Sequence, residues 1–135
     1  MIRFFTSDKI YIGKSRIPKA GRGVFAKRDI KKGEIIEKCP LIEVPEHDTS
    51  NLKDSILVTY FFYYGQNKER LAIALGFGSI YNHSDKPNAK FKIKQAKKTI
   101  DFVALYDIKK DEEITFNYYN CYNVKKKNRP LWFEV

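Results

Sequence analysis

Cysteine, histidine, methionine and tryptophan are scarce. The 135 residues contain two Cys (Cys39, Cys121), two His (His47, His83), one Met and one Trp. Two cysteines cannot build a disulfide framework. A structural zinc site takes four ligands, and Cys39, Cys121, His47 and His83 follow no zinc spacing, so no metal site is expected within the chain. Taken alone, the cysteines read as ordinary thiols. No apolar run approaches the roughly 20 residues of a spanning helix. The opening Met1-Ile2-Arg3-Phe4-Phe5-Thr6 runs into polar residues without a secretory core. An intracellular protein, cytoplasmic or nuclear and without a membrane segment, is expected. No Gly/Ser linker or low-complexity tract divides the chain, so one domain over 1–135 is expected.

Charge is present in excess. Lys and Arg number 26 against 16 Asp and Glu, a net charge of +10, with 43% hydrophobic residues. Such a surface favours polyanions, although solubility alone would also explain it. The one dense basic run, Lys125-Lys126-Lys127-Asn128-Arg129, reads as a solvated face.

One internal similarity organises the chain. Residues 26–36 match residues 104–114 at seven of eleven positions, each copy carrying Asp-Ile-Lys-Lys followed by Gly33 or Asp111. Both residue types tolerate the positive φ of a tight turn. Each copy reads as strand, turn, strand, giving two hairpin-like units in a mostly β fold. Strands are expected over 9–14, 23–26, 35–44 (interrupted at Pro40), 58–64, 91–94, 100–105 and 114–118. A helical turn over 50–57 capped by Thr49 or Ser50, and a helix over 70–75 stopped by Gly76, complete the expected elements.

Three segments carry candidate chemistry. In Lys19-Ala20-Gly21-Arg22-Gly23-Val24-Phe25-Ala26, two glycines flank one Arg and let backbone groups approach a ligand, or simply form a turn. Gly76-Phe77-Gly78-Ser79-Ile80-Tyr81-Asn82-His83-Ser84 leads into a polar cluster that is otherwise an ordinary loop; no nucleophile elbow accompanies it. In Glu112-Glu113-Ile114-Thr115-Phe116-Asn117-Tyr118, alternation puts Ile114, Phe116 and Tyr118 on one face. Tyr118 is then either a core tyrosine or a phenol at the end of an apolar stripe.

In this order, Gly-Arg-Gly-Val-Phe-Ala, Gly-Phe-Gly-Ser-Ile-Tyr-Asn-His-Ser and Glu-Glu-Ile-Thr-Phe-Asn-Tyr resemble the SET-domain protein-lysine methyltransferases. Tyr60-Phe61-Phe62 and the paired Asp-Ile-Lys-Lys turns add to the likeness, which covers about residues 10–122 and is greatest to the small free-standing SET proteins of viruses and bacteria. It implies the β-clip fold, with small twisted sheets, short helices and a C-terminal pseudoknot. It further implies S-adenosylmethionine held by Gly21, Arg22, Gly23, Asn82 and the His83 backbone, no metal, and Tyr118 as the active-site tyrosine touching cofactor and amine. Tyr60, Phe116 and Tyr122 are the implied walls of a lysine channel.

The implied reaction is methyl transfer to the side chain of an exposed lysine in a protein, with a histone or another nucleic-acid-associated protein as candidate substrate. A free lysine is protonated at neutral pH, and an apolar aromatic channel disfavours the ammonium. Cysteine-rich flanking segments are missing, so the tail at 123–135, with Leu131, Trp132 and Phe133, or the second subunit of a homodimer, is expected to close the site. Glu112 and Glu113 are expected to form an acidic patch for a basic substrate, with nucleic-acid docking through the basic surface as the other answer to the charge. The rival readings are a non-catalytic SET-like binding module and a basic nucleic-acid-binding domain.

Overall fold

The computed structural model describes residues 3–64 and 70–119. Within them short apolar alternations make nine strands: β1 (Ile10–Lys14), β2 (Arg22–Ala26), β3 (Ile35–Val44), β4 (Phe61–Tyr64), β5 (Arg70–Ala74), β6 (Asn82–His83), β7 (Ala89–Lys94), β8 (Thr99–Ala104) and β9 (Glu113–Phe116). One helix of a single turn, α1 (Thr49–Lys53), and three 3₁₀ turns connect them. The strands form a four-stranded sheet in the order β1-β2-β9-β6 and a five-stranded sheet in the order β4-β5-β3-β8-β7. This is the mostly β architecture that the sequence implied. Among the described residues no helix is long and apolar enough to cross a membrane.

The core is aromatic. Phe62, Phe91, Phe102, Phe116 and Tyr81 meet at ring-centroid distances of 4.4 to 6.3 Å in stacked, tilted and edge-on pairs. Each such pair adds about 0.5–1.5 kcal/mol beyond the area it buries. Ile30, Ile100, Ile108 and Ile114 fill the space around them.

The two sequence repeats are paired with one another, which corrects the hairpin expectation. β2 runs into β3 through the first turn, but β2 pairs with β9 and β3 pairs with β8. Each repeat therefore sends one strand to each sheet. The repeats meet at a reciprocal bridge, Ile30 N to Ile108 O and Ile108 N to Ile30 O, both 2.7 Å. Lys32 N donates to Asp107 Oδ1 at 2.8 Å, and Lys110 N donates to Asp29 Oδ1 at 2.9 Å. Gly33 N reaches Ala104 O at 2.9 Å, and Asp111 N reaches Ala26 O at 2.7 Å. Gly33 (φ 86) and Asp111 (φ 70) both adopt the expected left-handed conformation. The aspartates are shared because each satisfies an amide in the opposite turn.

Other expectations also change. Residues 70–74 form β5, with Leu71, Ala72 and Ala74 buried, because pairing on both sides with β4 and β3 outweighs a few tenths of a kcal/mol of helix propensity per residue. Ile56–Thr59 is a 3₁₀ turn capped by Ser55, and the strand starts only at Phe61. Asp48 precedes α1 without a side-chain cap, so neither Thr49 nor Ser50 caps it. Pro40 does not interrupt β3. It stands where β3 changes partner, from β8 through Pro40 to β5 from Leu41, a point at which a missing N–H costs no ladder bond. β9 lies between antiparallel β2 and parallel β6, as a returning C-terminal segment would; the continuation that a pseudoknot involves lies outside the described residues.

Candidate functional site

β2, β6 and β9 bring the three singled-out segments together. Asn82 is wholly buried, and its Nδ2 donates to Arg22 O at 3.0 Å and to Glu113 Oε2 at 3.0 Å. Ser15 Oγ donates to the same carboxylate, 2.8 Å from Oε2, and Arg16 N donates to Oε1 at 2.9 Å. Glu113 thus brackets the loop before β2 against β6. Gly23 makes this approach feasible, since a Cβ there would lie 3.0 Å from Asn82 Nδ2 and closer still to a Glu113 oxygen. Gly21, at φ 80, supplies the turn into β2. Asn88 anchors β9 itself: its Nδ2 donates to Glu113 O and its Oδ1 accepts from Thr115 N, both at 2.9 Å.

Just past β9, Tyr118 is buried and its hydroxyl donates to Tyr81 O at 2.6 Å, beside Asn82. Its backbone N donates to His83 Nδ1 at 3.0 Å, while His83 Nε2 lies 2.9 Å from Asp85 Oδ1. An Nδ1 that accepts leaves the ring hydrogen on Nε2, so His83 donates to Asp85 and is neutral in this arrangement. The imidazole fixes where the Tyr118 phenol sits.

A cavity of about 330 Å³ opens at this junction, lined by Ala20, Gly21, Arg22, Tyr60, Ser79 and Ile80. That is within the range of small-molecule sites. Tyr60, expected on a lysine channel, lines the same cavity as Gly21 and Arg22. Neither Phe116, also expected there, nor Tyr118 lines it: Phe116 is 2% exposed and lies among Phe62, Phe91 and Phe102, because its strand face points into the core, and Tyr118 is 4% exposed. Tyr122 and the tail at 123–135 lie outside the described residues. Glu113 is spent on the bracket, so the expected acidic patch loses its better half.

Among the described residues, three buried side-chain oxygens lack a hydrogen-bond partner, on Asn82, Thr99 and Asp101, and of these Asn82 stands at the site. Asn82 Oδ1 is buried without a hydrogen-bond partner. A buried acceptor of this kind calls for a donor and suits the ammonium of an amino-acid-like ligand. Beneath the site, Glu37 accepts from Tyr81 Oη at 2.8 Å and Phe77 N at 2.9 Å. Burial first, and then the Glu37 charge, hold the Tyr81 phenol and the Cys39 thiol far above their ordinary titration ranges. Sequence reasoning missed Ser15, Glu37, Asp85 and Asn88; only their polarity beside apolar strands hinted at a role.

The chain is similar in sequence and fold to known proteins. A histone-lysine N-methyltransferase of Schizosaccharomyces pombe, described as specific for H3 lysine-37, is 30% identical over 117 residues, 86% of this chain and 72% of its own length. The crystal structure of a candidate histone methyltransferase from Plasmodium falciparum is 34% identical, with a TM-score of 0.66 over 91% of this chain and 100% of that one. A structure of the Chaetomium thermophilum polycomb repressive complex 2 with H3K27me3 and H3K27M is 25% identical, with a TM-score of 0.70 over 92% of this chain and 16% of that one. Residues 21–119 match the SET domain, and with the loop, bracket and phenol in place the chain belongs to the SET-domain family.

Proposed function

We propose that the chain is an S-adenosylmethionine-dependent protein-lysine methyltransferase acting on a lysine of a histone-class protein. The observation that carries this reading is a cavity lined by Gly21, Arg22 and Tyr60, with the buried Asn82 bonded to Arg22 O and the Tyr118 phenol bonded to the neighbouring Tyr81 O. The names of the relatives support the substrate class, and a histone-class substrate goes with an intracellular site of action.

The residues fit the cofactor. Asn82 Oδ1 would accept from its ammonium, the Gly21-Arg22-Gly23 backbone would lie along its methionine part, and the β6 backbone at His83 would border its adenine. When bound, the cofactor supplies an electrophilic methyl group. The chain's own part is to hold and orient. Tyr118 gives its hydrogen to Tyr81 O, which leaves its oxygen lone pairs to align the incoming amine without acting as a strong base. Ala20, Tyr60 and Ile80 give the cavity apolar walls, which favour the uncharged amine. Alignment of the two reactants provides most of the acceleration.

The test is transfer of a tritiated methyl group to purified histones, with Tyr118→Phe as the diagnostic variant. Turnover should fall by at least about 100-fold, or ~2.7 kcal/mol, with little change in cofactor affinity. Near-native turnover in the variant would overturn the role of the phenol. Cofactor binding without any transfer to histones or other proteins would support a silent binding module instead.

A further inference from the structure

The outer face of the five-stranded sheet carries a lysine ladder that methyl transfer does not use. On β7, Lys90, Lys92 and Lys94 alternate with the inward-facing Ala89, Phe91 and Ile93. Two-residue steps space them about 6.6 Å apart, roughly 13 Å in all. The rows continue across the sheet. Lys92 is opposite Asp101 on β8, and Asp101 is opposite Lys38 on β3. Lys38, Lys90 and Lys92 are exposed, and no ion pair among the described residues engages them. The acid on this face is Asp101, 2% exposed, which holds Lys94 Nζ at 2.9 Å and so fixes one end of the ladder. The remaining positions of these rows, Thr99, Val103, Ile35 and Pro40, carry no charge.

Lysines on an edge strand also discourage strand addition, and β7 is an edge. That purpose does not require Lys38, which stands two strands in from the edge in the same row as Lys92. Nor does it require that the β3-β8-β7 rows be bare of ring and amide side chains. A flat row of ammonium groups with nothing to read base edges suits a phosphodiester backbone. Over ~13 Å one DNA strand presents about four phosphates.

We propose that Lys38, Lys90, Lys92 and Lys94 dock the backbone of duplex DNA without sequence preference. Docking would answer the charge problem of a +10 enzyme whose substrates are themselves lysine-rich: both are drawn to one polyanion, which holds the enzyme beside a protein it would otherwise repel. The inference rests on the methyltransferase reading only for this benefit. Binding is measured without methyl transfer, so its failure would leave the catalytic reading untouched.

The experiment is fluorescence anisotropy of the full chain with a short labelled duplex between about 0.05 and 0.2 M salt. The triple variant Lys90→Glu/Lys92→Glu/Lys94→Glu keeps the edge charged. It should flatten the slope of log affinity against log salt by about 3 and weaken binding at ~0.1 M salt on the order of a hundredfold. Lys→Arg at the same three positions should preserve binding. The control Lys31→Glu/Lys32→Glu/Lys109→Glu makes an equal change in net charge on the turns and should move the slope by less than about 1. Equal losses in the ladder and control variants would mean that net charge alone binds, and would overturn the proposal. Retained binding in the ladder variant, or binding to anionic vesicles with none to duplex, would overturn it as well. Circular dichroism of each variant confirms that the fold is kept.

Discussion

Gly23→Ala is the sharpest probe of how the site is held. The added methyl would meet a Glu113 oxygen and stand 3.0 Å from Asn82 Nδ2, so the carboxylate has to move. Its Oε2 accepts from Ser15 Oγ at 2.8 Å and from Asn82 Nδ2 at 3.0 Å, and its Oε1 accepts from Arg16 N at 2.9 Å. Losing two of these charge-assisted bonds, discounted because Glu113 is only half-buried, and crowding the strand together cost about 2–4 kcal/mol. For a chain of this size that lowers the melting temperature by roughly 8–16 °C. Cofactor affinity should fall with it, because the Arg22 and Asn82 segments are no longer tied. A double-mutant cycle with Glu113→Ala, which empties the space, should return a coupling of at least about 1 kcal/mol. A Gly23→Ala protein that melts within about 2 °C of the parent and binds cofactor equally well would refute the bracket.

Asn82→Ala removes two hydrogen bonds and the unfilled acceptor. It should weaken S-adenosylmethionine binding at least about tenfold by calorimetry, beyond a stability loss of ~2 kcal/mol. His83→Ala leaves the buried Tyr118 N–H unpaired, at about 1–3 kcal/mol, and should lower kcat more than it alters cofactor affinity in steady-state assays. Tyr81 and Cys39 are both held protonated, since their folded values are raised. The stability this gives is complete below their unfolded values and is lost as pH rises beyond them, so the melting temperature should decline from about pH 9 upward and more gently in Cys39→Ala. In a Cys121→Ser background, Cys39 should resist alkylation at pH 8 until the protein unfolds.

β7, with its alternating apolar residues, was legible because one face is buried and the other wet. The turn glycine and aspartate were legible because only a few residue types accept positive φ. Residues 70–74 were not: Arg-Leu-Ala-Ile-Ala suits a helix locally and becomes a strand only because β3 and β4 lie on either side, which is information from elsewhere in the chain. The three-segment motif located the cavity through its first two segments, which supply Gly21, Arg22, Ser79 and Ile80. It could not separate Phe116 from Tyr118, which share a face of one stripe: β9 ends at Phe116, and only beyond that end does the Tyr118 hydroxyl turn to Tyr81 O. Glu113 looked like a free acid for the same reason: its partners, Ser15 and Arg16, stand about a hundred residues away in sequence.

The crossed repeats have a bearing on synthesis. Neither sheet closes from one half of the chain, since β2 waits for β9 and β3 waits for β8. Such distant pairings make folding slow. A nascent chain that has not yet emerged through Glu113 possesses neither the carboxylate that ties Ser15 and Arg16 to Asn82 nor the strand beside which His83 lies. The ability to bind a ligand at this junction is therefore acquired late and in one step, and a truncated translation product would be inert rather than partly active.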